Sequence, residues 1–346
     1  MSPAKRALTV VGLALAVVGC YTPTHTGEGA IDMVMIRPDL KPVGLFVAPN
    51  EEYLVVQTAP PASVNVVYSP LFTQLNLVSL AYQDLAFGDD PEIAACLAPL
   101  RARVLDMPDV VEASSAELPK LFNSDRINRI PGTGNWVVTS SDRERSNVWI
   151  LGGEPARFVK SGRTALPRNL LGRAVDGKTS RLLLTDDTNR LEFFDLSEMK
   201  SEGVITLPCR QVHSSLVARG GYGWVGTRNG TIVPVDIANR SCGEEVRMGT
   251  GPGHVFLTIS EPGGILGVAV QDLTAGKPPY PTYLKVFLLN GDARVELATT
   301  FFEHKSLIKD IAVLEGVETF VVASSSHLLR WKWTKKTKKD EEKSEK

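Results

Sequence analysis

The chain has 346 residues, of which 22% are charged and 43% hydrophobic, and its formal net charge is −1 at pH 7. A near-neutral chain lacks the basic surface that nucleic-acid binding requires, so we expect no nucleic-acid partner. The apolar content is sufficient for a sizeable core, and the length suits one large all-β domain.

The N-terminus has the features of an export signal in their usual order. Lys5 and Arg6 precede an apolar run of twelve residues, 7–18, and Gly19 follows it. Twelve residues are too few to cross a bilayer, which takes about 20, so we expect residues 1–19 to be removed as a signal peptide. The remaining 327 residues (346 minus 19) carry 36 basic and 39 acidic side chains, a net charge of −3.

The end of this signal, Val17-Val18-Gly19-Cys20, resembles the lipobox of bacterial lipoproteins. The resemblance implies that Cys20 receives diacylglycerol, becomes the first residue of the mature chain and holds the protein to a membrane. A soluble secreted protein with a chance cysteine is the alternative. Tyr21 is not the aspartate that retains such lipoproteins in the inner membrane, so the resemblance favours the outer membrane of the cell envelope.

Polar segments flank the body of the chain at both ends. Residues 20–30 predict a flexible tether between the lipid and the folded domain. Residues 334–346 predict a disordered charged tail, because Lys332 to Lys346 contains seven lysines and four acidic residues. The tail either keeps the chain soluble or serves as a basic arm for anionic lipid or an acidic partner.

Between these ends, residues 31–333 alternate short β-rich runs with turn residues, a pattern typical of all-β proteins. In one unit, His213 to Ile237, the turns Gly220-Gly221 and Asn229-Gly230 separate three β-rich runs. Asn-Gly between two such runs is a strong hairpin signal, because both residues tolerate a positive φ. The same order recurs at residues 169–196 and 254–290.

The spacing of the third runs predicts a β-propeller. The marker residues of these runs are Trp149, Phe194, Val235, Phe287 and Trp331, at intervals of 45, 41, 52 and 44 residues. These intervals are close to the length of a propeller blade, and the longest contains an insertion at Asp272 to Thr282. The chain ends soon after Trp333, so we expect Ile31 to Ile36 to supply the outermost strand of the blade that contains Trp331.

The number of blades depends on the N-terminal third. Val43 to Ser69 forms another unit, but Asp90-Pro91 resembles a helix start and indicates a short helix over Glu92 to Arg103. A blade around Arg103 to Met107 would make seven blades, and without it there are six. The sequence therefore predicts an all-β, seven-bladed β-propeller, with six blades as the alternative.

Two stretches resemble known repeats. Residues 249–264, GTGPGHVFLTISEPGG, resemble the repeats of WD40-like and YVTN-type β-propellers and depart from them at Glu261-Pro262. Residues 230–236, GTIVPVD, with Gly243, resemble a quinoprotein-type repeat found in envelope-assembly lipoproteins. The resemblance implies the fold and only weakly a function.

No motif indicates a metal or cofactor, so we expect none. The five histidines lack a His-x-x-x-His spacing. His213 and His254 precede first strands, where WD40-like repeats keep a histidine that forms hydrogen bonds within the blade. After lipidation of Cys20, Cys96, Cys209 and Cys242 remain, and either a Cys209–Cys242 disulfide or free thiols are compatible with the sequence.

We expect a scaffold for protein–protein interaction with an envelope protein, rather than an enzyme. Two Ser-x-x-Lys pairs lack the companion motifs of serine chemistry, and we expect mostly apolar first strands. A lactonase-like hydrolase with a site in the central channel and a periplasmic ligand sensor are the alternatives. The partner-binding candidates, on second-to-third-strand hairpins, are Arg143, Arg145, Arg228, Tyr280 and Tyr283.

Overall fold

The protein is an all-β, seven-bladed β-propeller. The structure is a computed structural model that describes residues 25–27, 30–34, 41–59, 63–68, 73–80, 82–118, 126–141, 146–153, 155–166, 169–260, 262–291, 293–325 and 327–333. Seven antiparallel sheets follow one another along the chain, and the inner strands of the first and last sheets are in contact, so the ring is closed. Among the described residues, no helix is long and apolar enough to cross a membrane.

The strands are numbered in chain order, and the first strand of each blade lies innermost. Two short strands precede the first blade, β1 (His25–Gly27) and β2 (Ala30–Val34). The strands of blades one to three are β3 (Pro42–Val47), β4 (Tyr53–Thr58), β5 (Ser63–Tyr68), β6 (Thr73–Ser79), β7 (Asp84–Phe87), β8 (Ile93–Ala98), β9 (Arg101–Asp106), β10 (Val111–Glu117), β11 (Arg126–Ile130), β12 (Asn135–Ser141), β13 (Ser146–Gly152) and β14 (Arg157–Arg163).

The remaining blades follow the same plan, except that two short strands share the outer position of blade five. The strands of blades four to seven are β15 (Arg173–Asp176), β16 (Arg181–Thr185), β17 (Arg190–Asp195), β18 (Lys200–Thr206), β19 (Val212–Arg219), β20 (Tyr222–Thr227), β21 (Thr231–Asp236), β22 (Ser241–Cys242), β23 (Val246–Arg247), β24 (His254–Ser260), β25 (Ile265–Gln271), β26 (Tyr280–Asn290), β27 (Ala293–His304), β28 (Ile308–Leu314), β29 (Thr319–Ser324) and β30 (Leu328–Lys332). A 3₁₀ turn, Glu315–Val317, joins β28 to β29.

All five marker residues lie on third strands, so the spacing argument is confirmed. The Asn229-Gly230 turn joins β20 to β21 as predicted. Gly230 has a φ of +75°, and a Cβ atom at this position would lie 2.3 Å from the backbone oxygen of Gly251. Glycine is therefore required both for the left-handed backbone and for the close approach of the link to blade six.

The helix predicted over Glu92 to Arg103 is wrong, because this segment forms β8 and the start of β9. Asp90 accepts a hydrogen bond of 2.9 Å from the Glu92 amide, as in a helix cap. The backbone nitrogen of Gly88, however, donates to the Ile93 oxygen at 2.7 Å and closes a hairpin. Ala94 to Ala98 are all buried, because the strand packs between two neighbouring blades and both of its faces are covered. This segment belongs to blade two, and with it the blades number seven.

The ring is closed by the N-terminal segment, as predicted. β2 pairs with β30 as the outermost strand of blade seven, and Ile31 is opposite Trp331. β1 pairs with residues 300–302 of β27, which gives blade six a fifth strand. The segment predicted as a tether thus contributes β1 and the first residue of β2. Residues 1–19 and 334–346 lie outside the described residues.

The first strands all run from one end of the ring, here called the upper face, to the other, the lower face. Because successive strands alternate in direction, the second-to-third-strand hairpins and the inter-blade links share the upper face. The first-to-second and third-to-fourth turns share the lower face.

The hydrophobic core lies between neighbouring blades. Leu54 and Val67 of blade one pack with Val321 and Leu328 of blade seven. Trp136 of blade three is 2% exposed and donates from Nε1 to the Ala86 oxygen of blade two at 3.1 Å. Burial of one large apolar side chain contributes about 1.5–3 kcal/mol. Each blade needs its neighbours for this burial, so a closed ring is the stable arrangement.

Candidate functional site

The central channel contains a cavity of about 320 Å³ toward its lower end. Its lining comes from the inner strands of blades one, two, three, six and seven. Polar side chains of this lining include Glu51, Asp84, Asn128, Arg129 and Ser260. The prediction that first strands are mostly apolar is wrong for blade three, where β11 reads Arg-Ile-Asn-Arg-Ile, while in β7 of blade two only Asp84 is polar.

Two half-buried aspartates join the inner strands of neighbouring blades. Asp84 of blade two accepts a hydrogen bond of 2.9 Å from the Ile127 amide of blade three. Asp310 of blade seven accepts one of 2.8 Å from the Leu45 amide of blade one through Oδ2. Its Oδ1 atom accepts from the Ile311 amide at 2.9 Å. Each carboxylate therefore holds the next blade in register.

Burial raises the pKa of both carboxyl groups, to about 6 for Asp310. The guanidinium of Arg126 opposes the rise in the pKa of both aspartates, and that of Arg173 opposes it for Asp84. The four side chains come from blades two, three, four and seven, and the two guanidiniums act electrostatically on the carboxyl groups. The sequence analysis did not predict this group of charged side chains.

A third link of the same kind uses a serine. The Leu257 amide of blade six donates to Ser215 Oγ of blade five at 2.5 Å. Asp84, Ser215 and Asp310 thus occupy comparable positions, on the first strand of one blade and against the first strand of the next. This shared geometry indicates a structural role in ring assembly.

Glu51 lies at the lower end of the channel and is 8% exposed. The Ser260 hydroxyl of blade six donates to its Oε1 atom. The Gly316 amide of blade seven donates to Oε2 at 2.9 Å. One carboxylate in the first turn of blade one therefore bonds to both preceding blades.

Histidine pairs lie at both junctions of blade six near the upper face. The rings of His213 (blade five) and His254 (blade six) are 5.0 Å apart, and those of His304 (blade six) and His327 (blade seven) are stacked at 5.1 Å. Phe256 of blade six lies 4.7 Å from His213. The contacts of His213 thus cross to the next blade, whereas the resemblance implied a hydrogen bond within its own blade.

Burial lowers the pKa of all four histidines, to about 4 for His213 and His304. The neighbouring His254 further lowers the pKa of His213, and His327 that of His304. His304 is 2% exposed, and its Nδ1 accepts a hydrogen bond of 2.9 Å from the Ser306 amide. Neutral imidazoles therefore hold blade six against both neighbours.

The structure places Arg228 in a hairpin and the two candidate tyrosines on a strand. Arg228 is exposed in the β20–β21 hairpin. Tyr280 and Tyr283 are half-buried on β26, and the Tyr283 hydroxyl lies 2.7 Å from Thr250 Oγ1. The Tyr283 ring lies 4.9 Å from that of Phe301 on the neighbouring strand. The exposed part of the predicted insertion is thus residues 274–279. Arg143, Arg145 and Cys20 lie outside the described residues.

The three cysteines within the described residues are free thiols. Cys209 and Cys242 contact the same hydrophobic cluster between blades four and five, but no disulfide joins them. Burial raises the pKa of Cys209 to about 11, which keeps its thiol protonated and unreactive at neutral pH. Cys96 is completely buried between blades one and two.

Among the described residues, no group of three or more His, Cys, Asp and Glu side chains is placed to hold a metal ion. Asp186 pairs with Arg190 at 2.6 Å and caps its own turn. The chain matches no protein-family model, and it matches no curated protein sequence.

Proposed function

We propose that this chain is a lipid-anchored β-propeller of the cell envelope that acts as a scaffold for protein–protein interaction. The observation that carries the proposal is that the carboxylates of the channel already accept hydrogen bonds from the protein itself. Asp84, Asp310 and Glu51 accept hydrogen bonds from neighbouring blades, so their oxygens serve the assembly of the ring. The exposed hairpins of the upper face then offer the surface for partners.

Anchoring through Cys20 is supported by the N-terminal sequence. Lys5 and Arg6, the apolar run and Cys20 have the order of a lipoprotein signal, and Tyr21 favours the outer membrane. β1 begins five residues after Cys20, so only a short linker separates the modified cysteine from the propeller.

A channel site for a small ligand is the second candidate function, as in a hydrolase or a sensor. The observation that favours it is the channel cavity, whose lining includes Asp84, Asn128 and Arg129 and near which the Arg126 guanidinium lowers the pKa of Asp84 and Asp310 against the effect of burial. Under this hypothesis, Arg126→Ala would abolish a ligand-induced rise in melting temperature. Under the scaffold hypothesis, the same variant leaves partner binding unchanged.

The scaffold hypothesis is tested by capture from detergent-solubilised envelope membranes with matched charge reversals. Arg228→Glu changes the upper face, and Lys178→Glu changes an exposed turn of the lower face. We expect Arg228→Glu to weaken the affinity for a stoichiometric partner by roughly thirtyfold and so to reduce its recovery, since a central arginine contributes about 2 kcal/mol to an interface. Equal recovery with both variants would contradict the assignment of the upper face.

A further inference from the structure

The channel cavity is lined by two neutral polar side chains that the protein itself leaves without a partner. Asn128 of blade three and Thr258 of blade six both line this cavity of about 320 Å³. Among the described residues, neither side chain makes a hydrogen bond, and the Oδ1 atom of Asn128 is buried. A buried polar group without a partner costs stability, so these two side chains call for an explanation.

The fold does not require a polar side chain at these positions. Asn128 and Thr258 each follow the residue whose amide bonds to the preceding blade. In blade one, the residue at the equivalent position, after the Leu45 amide, is Phe46. An apolar side chain therefore fits this position of an inner strand, and the two polar groups are available for a ligand.

The charged side chains around the cavity already have partners within the protein. Arg129 lies 3.4 Å from Asp89. Asp84 and Asp310 accept amide hydrogen bonds, and both lie near the guanidinium of Arg126. The carboxylate at the lower end of the channel accepts hydrogen bonds from two neighbouring blades. The cavity therefore does not need an ionic ligand to balance its charge.

We propose that the channel cavity binds a small uncharged ligand with several hydroxyl groups, of the size of a monosaccharide. A hydroxyl group both donates and accepts, so one such ligand can bond to the Asp84 carboxylate, which only accepts, and to Asn128 and Thr258, which do both. The half-buried ring of Phe46 offers apolar surface to the C–H groups of a sugar ring. The cavity volume lies at the small end of the range for ligand sites.

This inference rests on the channel site, given above as the second candidate function, and is independent of partner binding by the upper face. It predicts that the two neutral polar groups are dispensable for folding. Asn128→Ala and Thr258→Val remove no hydrogen bond within the described residues, so both variants should melt at or above the wild-type temperature. Each should weaken ligand binding by roughly fivefold, the effect of losing one neutral hydrogen bond.

The test is saturation-transfer difference NMR on the full chain, solubilised in a detergent without a sugar headgroup. The neutral probes are D-glucose, D-galactose and myo-inositol, and gluconate and glucosamine are their anionic and cationic counterparts. Asn290→Ala and Thr206→Val, at exposed positions outside the channel, are the matched controls. We expect a neutral probe to bind wild type and both controls equally, and more tightly than either charged counterpart does.

Absence of binding by every neutral probe would overturn the proposal, and tighter binding of gluconate or glucosamine would overturn the uncharged class of ligand. Undiminished binding by Asn128→Ala and Thr258→Val would place the site outside the channel. A clear fall in their melting temperature would show that the two side chains serve the fold. None of these results affects partner capture with Arg228→Glu, so failure of the channel site and failure of the scaffold are distinguishable.

Discussion

Oδ2 of Asp310, on the inner strand of blade seven, lies 2.8 Å from the backbone nitrogen of Leu45, on the inner strand of blade one. The two residues are 265 positions apart, and their hydrogen bond joins the last blade to the first along the channel. On the outside of the ring, β2 completes blade seven through the pairing of Ile31 with Trp331. The ring is thus closed at both its inner and its outer edge.

The inner closure predicts the effect of removing the Asp310 carboxylate. Asp310→Ala leaves the Leu45 and Ile311 amides without their acceptor, so we expect the free energy of unfolding to fall by about 1–3 kcal/mol. Asp310→Asn retains one carbonyl acceptor and should cost less. Denaturant melts at pH 7 measure both, with the exposed Asp109→Ala as control. A loss no larger than that of the control would show that the bond does not stabilise the ring.

The outer closure predicts that a charge at Ile31 opens the propeller. Ile31 is half-buried against the cluster that contains Trp331 and Phe320. Ile31→Asp places a carboxylate in this cluster. We expect the free energy of unfolding to fall by about 2–3 kcal/mol and the N-terminal segment to be proteolysed faster. Val159→Asp, on the outer strand β14 at a position that is 47% exposed, is the matched control. Similar melts for both variants would contradict the outer closure.

The histidine pairs predict loss of stability in acid. Burial lowers the pKa of His304 to about 4 in the folded state, while the unfolded value is about 6.5. The unfolded chain therefore binds a proton first, so this contribution is complete above pH 6.5 and is lost as the pH falls toward 4. The loss reaches roughly 3 kcal/mol for such a shift. The raised pKa of Asp310 acts in the opposite sense, stabilising the fold as the pH falls below about 6.

The measurement is the free energy of unfolding between pH 7 and 4 for wild type and His304→Gln. The glutamine oxygen can still accept from the Ser306 amide, so the variant should fold. We expect a shallower dependence on pH in the variant. Parallel curves would mean that His304 does not titrate in this range.

The architecture was predictable because its signals are local. Turns such as Asn229-Gly230 require particular backbone angles, and turn residues separate the β-rich runs along the chain. The closing strand followed from the position of Trp331 near the chain end. Blade two was the exception, since Asp90 caps its turn with the same hydrogen bond that would begin a helix.

The contacts between blades along the channel could not be predicted from local sequence signals. The bond between Asp310 and Leu45 depends on the register of two blades that meet only after the ring closes. The half-burial of Tyr283 likewise depends on Phe301 of the next strand and on Thr250 of the preceding link. Such contacts between distant segments leave no periodic pattern in the chain.

The anchor at Cys20 is tested most directly by membrane fractionation of wild type and Cys20→Ser, with mass analysis of the N-terminal peptide. We predict that wild type remains in washed membranes and begins with a diacylglyceryl cysteine, because the apolar run of residues 7–18 is too short to hold the chain by itself. Cys20→Ser should move to the soluble fraction. Retention of Cys20→Ser in washed membranes, or an unmodified Cys20 in wild type, would contradict the lipid-anchored scaffold.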